Sequence, residues 1–295
     1  MKRALHVVLV IILAFCGAAG LMVIYPRPVA AATSYYVNDN SIAGDVYCSA
    51  IGDNANSGTS PSAPKLTIQA IINGYTLGTG DVVYIDTGAY GESISITTAD
   101  EGATLQGAGP GKSTINGTTS SCIYMNQVSG MTITGFTITC GVGYPFEVGG
   151  FVRNYGGGIG LRYSTSTITN CIISGNSTIF GGGIYSKSST LTITNCTVTG
   201  NTGTVNVGGI YTVDGTSTIT NCIIWGNSGS EVYNSGGTNT VTYCDVQGGY
   251  TGTGNINQDP LFVGGGDYHL QSEAGHWTST SLGDRHSDEP VYRCR

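Results

Sequence analysis

Between about residues 120 and 250 the chain alternates apolar and polar residues over many short segments. In Thr167-Ile168-Thr169, for example, one apolar side chain lies between two threonines. A period of two places successive side chains on opposite faces of a β-strand, whereas an amphipathic helix needs apolar residues three and four positions apart. That helical spacing is absent from these segments. The pattern therefore predicts short β-strands.

The alternation is part of an internal repeat. The motif Thr-Ile-Thr-Asn-Cys at 167–171 recurs at 192–196 and 218–222, with weaker copies at 132–136 and 240–244. The three intervals between the motif cysteines at 171, 196, 222 and 244 are 25, 26 and 22 residues. A strand-rich repeat of this length predicts one coil of three short strands per repeat. Each coil needs its neighbours to bury its apolar side, so the coils must stack.

Alternation also assigns side chains to the inside or the outside of the coils. The motif cysteines point inward and, with Phe136, form a column at the strand spacing of about 4.8 Å. They are Cys171, Cys196, Cys222 and Cys244. Parallel stacked side chains are poorly placed for the disulfide dihedral angle, so we interpret these four as buried thiols. A disulfide among Cys48, Cys122 and Cys140 stays open.

One asparagine precedes each cysteine in the three best copies of the motif. These are Asn170, Asn195 and Asn221, at the bend that follows the threonine-rich strand. Stacked asparagines can hydrogen-bond to one another along a solenoid. We therefore assign the three residues a structural role in holding this turn.

Charged residues are rare in the coils, and the repeat brings three of them together. Arg162 aligns with Lys187, and Asp214 lies one residue beyond the same row on the next coil. Adjacent strands are about 4.8 Å apart, so the two cations are expected side by side on the outer surface. We take Arg162, Lys187 and Asp214 as candidate catalytic residues. The alternative is that the two aligned cations only increase the solubility of the protein.

Tyrosines form a second outward row beside these cations. Tyr185, Tyr211 and Tyr233 occupy equivalent positions on successive coils. Aromatic rings stack on sugar faces, so this tyrosine row is a candidate substrate-binding surface. Stacked tyrosines also stabilise parallel coils without any ligand, and that alternative stays open.

One coil is longer than the others because of an insertion between residues 140 and 158. Its Tyr144, Phe146 and Arg153 are expected to form a wall beside the tyrosine row. Guanidinium groups bind carboxylates and rings bind sugars, so we add these three to the candidate substrate-binding residues.

The repeat resembles the right-handed parallel β-helix proteins of the pectate-lyase-like superfamily, and is similar to bacterial surface proteins with choice-of-anchor regions. The resemblance rests on Gly-Gly-Gly-Ile-Tyr at 181–185 and on Thr-Ile-Thr-Asn-Cys at 192–196, followed by Gly-Asn at 200–201. Segments 80–85 and 88–90 also resemble the opening of many secreted members. The resemblance covers about residues 33–277. It implies an all-β, single-stranded right-handed parallel β-helix with a short capping helix near 65–75.

The resemblance implies that the protein binds or acts on polysaccharides. It does not identify the activity, because lyases, hydrolases, adhesins and binding proteins share this fold. In the lyases a cation, often Ca²⁺ held by carboxylates, offsets the charge of the sugar acid, and an Arg or Lys takes a proton. Calcium prefers roughly six or more oxygen ligands, and Asp214 stands nearly alone, so Ca²⁺ comes from the resemblance only.

We expect a protein that binds acidic polysaccharide along an outer face of the coils. If it is an enzyme, it is expected to cleave the polysaccharide as a polysaccharide lyase or glycoside hydrolase. The alternative is a non-catalytic structural or adhesive surface protein. A third class, the ice-binding solenoids, is suggested by paired outward threonines, although threonine also suits exposed strands in general. The pairs are Thr132/Thr134, Thr167/Thr169, Thr192/Thr194, Thr218/Thr220 and Thr240/Thr242.

Residues 1–32 have the order of a secretory signal peptide. Lys2 and Arg3 precede an apolar run, and small residues suited to cleavage follow at 30–32. We therefore expect a secreted or cell-surface protein with no membrane insertion after cleavage. The apolar run is nearly long enough to span a bilayer, so an uncleaved anchor is the alternative.

Charge limits the partners further. The formal net charge is −7, and removal of Lys2, Arg3 and Arg27 with the leader lowers it to −10. An acidic surface repels nucleic-acid phosphates, so no nucleic-acid partner is expected. We expect a monomer.

The chain is thus divided into a signal peptide at 1–32, a β-helix at 33–277 and an atypical tail at 278–295. Within the β-helix we expect a capping region at about 33–90 and clear coils at about 120–250. The tail is abruptly rich in charge, as at Asp284, Arg285 and Arg293. We interpret it as a truncated or frame-shifted end.

Overall fold

A computed structural model describes residues 31–148, 150–205 and 207–270. Almost all of the predicted leader lies outside these residues, as do the last part of the predicted β-helix and the tail at 278–295. The described residues form three main parallel sheets, of eight, seven and six strands, wound into a right-handed solenoid. This confirms the predicted fold class. Within the described residues, no helix has the length and apolar character needed to cross a membrane.

Two of the three main sheets are named here from their outward side chains, and the third from the length of its strands. The threonine sheet contains β1 (Ser34–Val37), β2 (Val82–Ile85), β5 (Thr104–Gly107), β8 (Ser129–Thr134), β13 (Thr165–Thr169), β17 (Thr190–Thr194), β21 (Thr216–Thr220) and β24 (Thr238–Thr242). The tyrosine sheet contains β4 (Ile94–Ile96), β7 (Ile123–Asn126), β12 (Ile159–Arg162), β16 (Ile184–Lys187), β20 (Val207–Val213) and β23 (Ser230–Ser235). The short-strand sheet contains β3 (Gly88–Tyr90), β6 (Ser113–Asn116), β9 (Thr137–Thr139), β14 (Ile172–Ser174), β18 (Thr197–Thr199), β22 (Ile223–Trp225) and β25 (Asp245–Val246).

Three smaller strand pairs lie outside these sheets. Antiparallel hairpins are formed by β10 (Tyr144–Val148) with β11 (Phe151–Tyr155), and by β26 (Phe262–Gly264) with β27 (Asp267–Leu270). A short parallel pair consists of β15 (Ser177–Thr178) and β19 (Thr202–Gly203). The β10–β11 hairpin is the inserted segment of the long coil, and below it is called simply the hairpin.

The helix α1 (Ile68–Gly74) lies at the N-terminal end of the coils, as the resemblance implied. Thr67 caps it, because its side chain accepts a hydrogen bond from the backbone N–H of Ala70. The carboxylate of Glu92 accepts the backbone N–H groups of Ile68 and Gln69, which have no partner inside the helix. The buried side of α1 consists of Ile68, Ile71 and Ile72.

Inward columns of aliphatic side chains run along the solenoid and form its core. Ile168, Ile193 and Ile219 are in register and have no exposed surface. The thiols of Cys171, Cys196, Cys222 and Cys244 are unbridged and at most 2% exposed. Each lies 3.2–3.3 Å from the carbonyl oxygen two residues earlier, as Cys196 does from Thr194. The thiols thus serve as small core side chains.

A buried asparagine ladder joins successive coils. The Nδ2 of Asn176 donates to Oδ1 of Asn201 at 2.9 Å, and the Nδ2 of Asn201 donates to Oδ1 of Asn227 at 2.9 Å. Each Oδ1 also accepts the backbone N–H of the preceding ladder residue. The ladder ends on the carboxylate of Glu231, which accepts both the backbone N–H and the Nδ2 of Asn227.

This ladder is not at the asparagines named from the sequence. Asn170, Asn195 and Asn221 are exposed and adopt the left-handed conformation, with φ of 51–54°. One link joins them in the described structure, from Asn195 Nδ2 to Asn170 Oδ1 at 3.4 Å. Their role is conformational, because asparagine tolerates the left-handed bend better than most residues.

Glu231 is expected to make the stability of the ladder depend on pH. Burial raises the pKa of its carboxyl group, against the hydrogen bonds from Asn227 that lower it. The unfolded chain has the ordinary pKa, so the stabilisation is fully present below about pH 4.3 and is lost as pH rises through the higher folded pKa.

Urea unfolding of wild type and Glu231→Gln, from about pH 4 to about pH 7, measures this effect. The free energy of unfolding should decline with pH more steeply in the wild type than in the variant. Parallel pH profiles for the two proteins would contradict this assignment of Glu231.

Candidate functional site

The tyrosine row lies on the outer face of the tyrosine sheet. The register pairs Gly160 with Tyr185, Tyr185 with Tyr211, and Tyr211 with Tyr233. Tyr124 occupies the same position one coil before Gly160. A Cβ atom on Gly160 would lie 3.2 Å from the Tyr124 ring, so the glycine gives that ring room.

The hairpin covers the first half of this row. The Tyr144 ring stacks on Tyr124, with centroids 3.6 Å apart and an interplanar angle of 1°. Phe146 stacks on Tyr155 at 4.1 Å, and both rings contact Tyr185. Tyr185 is only 3% exposed. The sequence predicted that the insertion forms a wall beside an open tyrosine row, but in the structure the insertion lies over that row. Tyr185 and Phe146 are therefore buried in a second apolar cluster.

Arg162 belongs to the covered half as well. Its guanidinium carbon lies 4.6 Å from the centroid of the Phe146 ring and 5.4 Å from that of Tyr163. Its Nε is buried and has no hydrogen-bond partner within the described structure. Burial raises the pKa of the neighbouring Tyr124 hydroxyl, while a hydrogen bond and positive charge from Arg162 oppose that rise. Arg162 therefore joins the coils to the hairpin through its cation–π contact with Phe146.

Lys187 and Asp214 lie on the two coils that follow that of Arg162. Lys187 pairs with Arg162 in the register and is half-buried, and the next position in its row is Val213. Asp214 follows Val213 in a left-handed bend, with φ of 50°, and is exposed. No ion pair joins Arg162, Lys187 and Asp214 in the part of the chain that the structure describes. The three candidates share one region, but Arg162 faces the hairpin instead of the surface shared by the other two.

The second half of the row is open. Ring contacts continue from Phe180 to Tyr211 at 6.1 Å and from Tyr211 to Tyr233 at 5.4 Å. Tyr233 is 46% exposed. Burial raises the pKa of the Tyr211 hydroxyl, and the negative charge of Asp214 adds to that rise. Arg153, on the hairpin, lies 5.8 Å from the Phe180 ring and brings a cation to the boundary between the covered and open halves.

The described residues contain no group of three or more His, Cys, Asp and Glu side chains placed to hold a metal ion. Two carboxylates in the N-terminal part of the described chain accept backbone hydrogen bonds. Asp86 is fully buried and accepts the backbone N–H groups of Val46 and Tyr47, and Asp53 accepts that of Ala55. Calcium remains an implication of the family resemblance.

Sequence reasoning missed the cover and the buried ladder. Tyr144 and Phe146 alternate along one strand of the hairpin, and Tyr155 lies opposite Tyr144 in its antiparallel register. Alternating aromatic residues before the Gly-Gly pair at 149–150 of the sequence were a readable signal of a hairpin with one apolar face. The Gly-Asn pairs at 175–176, 200–201 and 226–227 were an equally periodic signal for the ladder.

Comparison with known proteins supports the architecture. The family described as the right-handed β-helix region matches residues 101–265. No curated protein sequence matches the chain. Among solved structures, the pectin methylesterase of Aspergillus niger is 17% identical, with a TM-score of 0.41 and coverage of 63% of this chain and 74% of that one. Pectin methylesterase PemA of Erwinia chrysanthemi is 12% identical, with a TM-score of 0.34 and coverage of 88% and 99%. No functional conclusion follows from these two likenesses.

Proposed function

Because this chain belongs to the right-handed β-helix family, we propose that it is a polysaccharide-binding protein whose ligand lies on the tyrosine sheet beyond the hairpin. The supporting observation is the continuous row of ring contacts, which passes from the covered half to the exposed ring of Tyr233. The exposed aromatic rings of this row offer a face on which a sugar ring can stack. The hairpin beside them offers a second surface for the sugar to contact.

The charges near this opening favour an acidic polysaccharide. Lys187, on β16, and Arg153, beside the Phe180 ring, are both half-buried cations, and cations of this kind can hold sugar carboxylates. The chain as a whole is acidic, with a formal net charge of −7. An acidic ligand would therefore be held locally and repelled elsewhere. A secreted or cell-surface location belongs to the same proposal and rests on the sequence of residues 1–32 alone.

Replacing Tyr233 by alanine is expected to weaken polysaccharide binding by about two- to tenfold. An aromatic contact of this kind contributes about 0.5–1.5 kcal/mol, and 1.4 kcal/mol corresponds to about tenfold in affinity. The measurement is the retardation of the purified protein in native gels that contain polygalacturonate, alginate or neutral dextran.

Tyr243→Asn is the matched control. Tyr243 is 52% exposed and adopts the left-handed bend that asparagine occupies in three other coils, so the variant should fold normally. It lies at the bend after the threonine sheet, away from the tyrosine row, and should keep wild-type retardation. Equal loss in both variants, or no retardation of the wild type in any gel, would contradict the proposal and favour a structural or adhesive surface protein.

The same mixtures report on cleavage. A lyase would release unsaturated sugar ends that absorb ultraviolet light, and a hydrolase would release reducing ends without them. Product that disappears in Lys187→Ala while retardation persists would extend the proposal from binding to catalysis. Retardation without product is the result expected for a binding protein.

A further inference from the structure

We propose that the outer face of the threonine sheet is an ice-binding surface, separate from the polysaccharide site. The face is carried by β13, β17, β21 and β24, whose outward positions all hold threonine. The sequence indicated two columns, and the register adds a third. The columns are Thr165, Thr190, Thr216 and Thr238; Thr167, Thr192, Thr218 and Thr240; and Thr169, Thr194, Thr220 and Thr242.

The twelve side chains form a regular grid. Strands lie about 4.8 Å apart and alternate residues along one strand about 6.6 Å apart, so the grid covers about 13 Å by 14 Å. The pairing across these four strands has no register shift. Each of these coils enters and leaves the sheet through a left-handed residue, as at Ser188 before Thr190 and Asn195 after Thr194. The same bends in every coil keep the strands parallel and the face regular.

Each of the twelve grid threonines is exposed or half-exposed. Among the described residues they make one side-chain hydrogen bond within the protein, between Thr220 and Thr242 at 3.3 Å. The first column is exposed, and nothing in the described structure packs over the face. Threonine is also stiff at χ1, so the hydroxyl and methyl positions are fixed before any ligand arrives.

The chemistry of the face selects its ligand. None of the twelve positions carries a charge or an aromatic ring, so the grid offers neither carboxylate binding nor a stacking surface for sugars. It repeats a methyl group and a hydroxyl group at fixed intervals in two directions. The complementary ligand is a neutral, periodic lattice of hydrogen-bonding groups, and the surface of ice has this chemistry. Water held between the methyl groups and bonded to the hydroxyls would join the face to the lattice.

The test is thermal hysteresis of the purified protein, together with its incorporation into a slowly growing ice hemisphere. We expect the wild type to separate melting from freezing and to enter the ice. Thr192→Lys, at the middle of the grid, and Thr218→Lys, on the next strand, should lose most of both signals, because a long cation displaces the ordered water. Circular dichroism would confirm that each variant keeps the wild-type fold.

Thr139→Lys is the control, since Thr139 is a half-exposed strand threonine of the short-strand sheet. It should keep wild-type hysteresis, as should Tyr233→Ala, which separates this proposal from the polysaccharide site. Absence of wild-type hysteresis, or equal loss in Thr139→Lys, would overturn the proposal. Binding to crystalline cellulose or chitin that Thr192→Lys abolishes, without binding to ice, would also overturn it.

Discussion

Asn201→Ala is expected to lower the free energy of unfolding by about 3–5 kcal/mol, because each buried polar group left without a partner costs about 1–3 kcal/mol. The Asn201 side chain is 1% exposed and makes four hydrogen bonds. It accepts the backbone N–H and the Nδ2 of Asn176, and it donates to Asn227 and to the carbonyl oxygen of Ile173. Alanine leaves the buried backbone N–H of Asn176 without this acceptor and removes one partner each from the Asn176 amide, the Asn227 amide and the Ile173 carbonyl.

The control for this change is Asn195→Gly. Asn195 is exposed, has one long side-chain hydrogen bond of 3.4 Å and adopts a left-handed conformation that glycine shares. Its loss should be below about 1 kcal/mol. Urea unfolding followed by circular dichroism measures both variants. A larger loss of unfolding free energy for Asn195→Gly than for Asn201→Ala would contradict this account. It would show that the stabilising ladder is formed by the asparagines of the Thr-Ile-Thr-Asn-Cys motif.

Asp86→Ala is expected to cost about 4 kcal/mol or more, because hydrogen bonds to a charged acceptor contribute about 1.5–3 kcal/mol each. The carboxylate is fully buried and accepts the backbone N–H groups of Val46, Tyr47, Cys48 and Thr87. It holds the segment at about 45–48 onto the first coils. Without it, this segment should become open to proteolysis before the coils unfold.

Limited proteolysis with mass spectrometry, combined with urea unfolding, measures this effect. Asp53→Ala is the matched control, since Asp53 is exposed and its side chain accepts one backbone N–H, that of Ala55. It should remain within about 1 kcal/mol of the wild type. First cleavage in the coils instead of the segment would show that Asp86 does not anchor it.

The fold could be predicted from the repeat, because strand alternation and a fixed period constrain the same residues. Ile168, Ile193 and Ile219 had to share one inward column once the coils were stacked, and the structure has them there. The positions of Tyr211 and Tyr233 in one outward row followed from the same register. Alternation within strands is therefore enough to assign most of the core and the outer rows.

The bends and the insertion needed information that periodicity does not contain. Asn195 and Asn201 recur with the same period, and alternation ceases at a bend, so the pattern could not tell which asparagine turns inward. Alternation correctly pointed Tyr185 outward, yet an outward side chain is exposed only if nothing packs over it. The cover depends on where the hairpin folds back, through contacts such as Phe146 with Tyr185 at 5.7 Å.

In the proposed function, polysaccharide binds at the open half of the tyrosine row. Hydrogen exchange of the purified protein, with and without the acidic polysaccharide that retards it most, tests this directly. We predict slower exchange in β20 and β23 and at the edge of the hairpin, with β13, β17 and β21 of the threonine sheet unchanged. Protection confined to the threonine sheet, or the same exchange with and without polysaccharide, would contradict it.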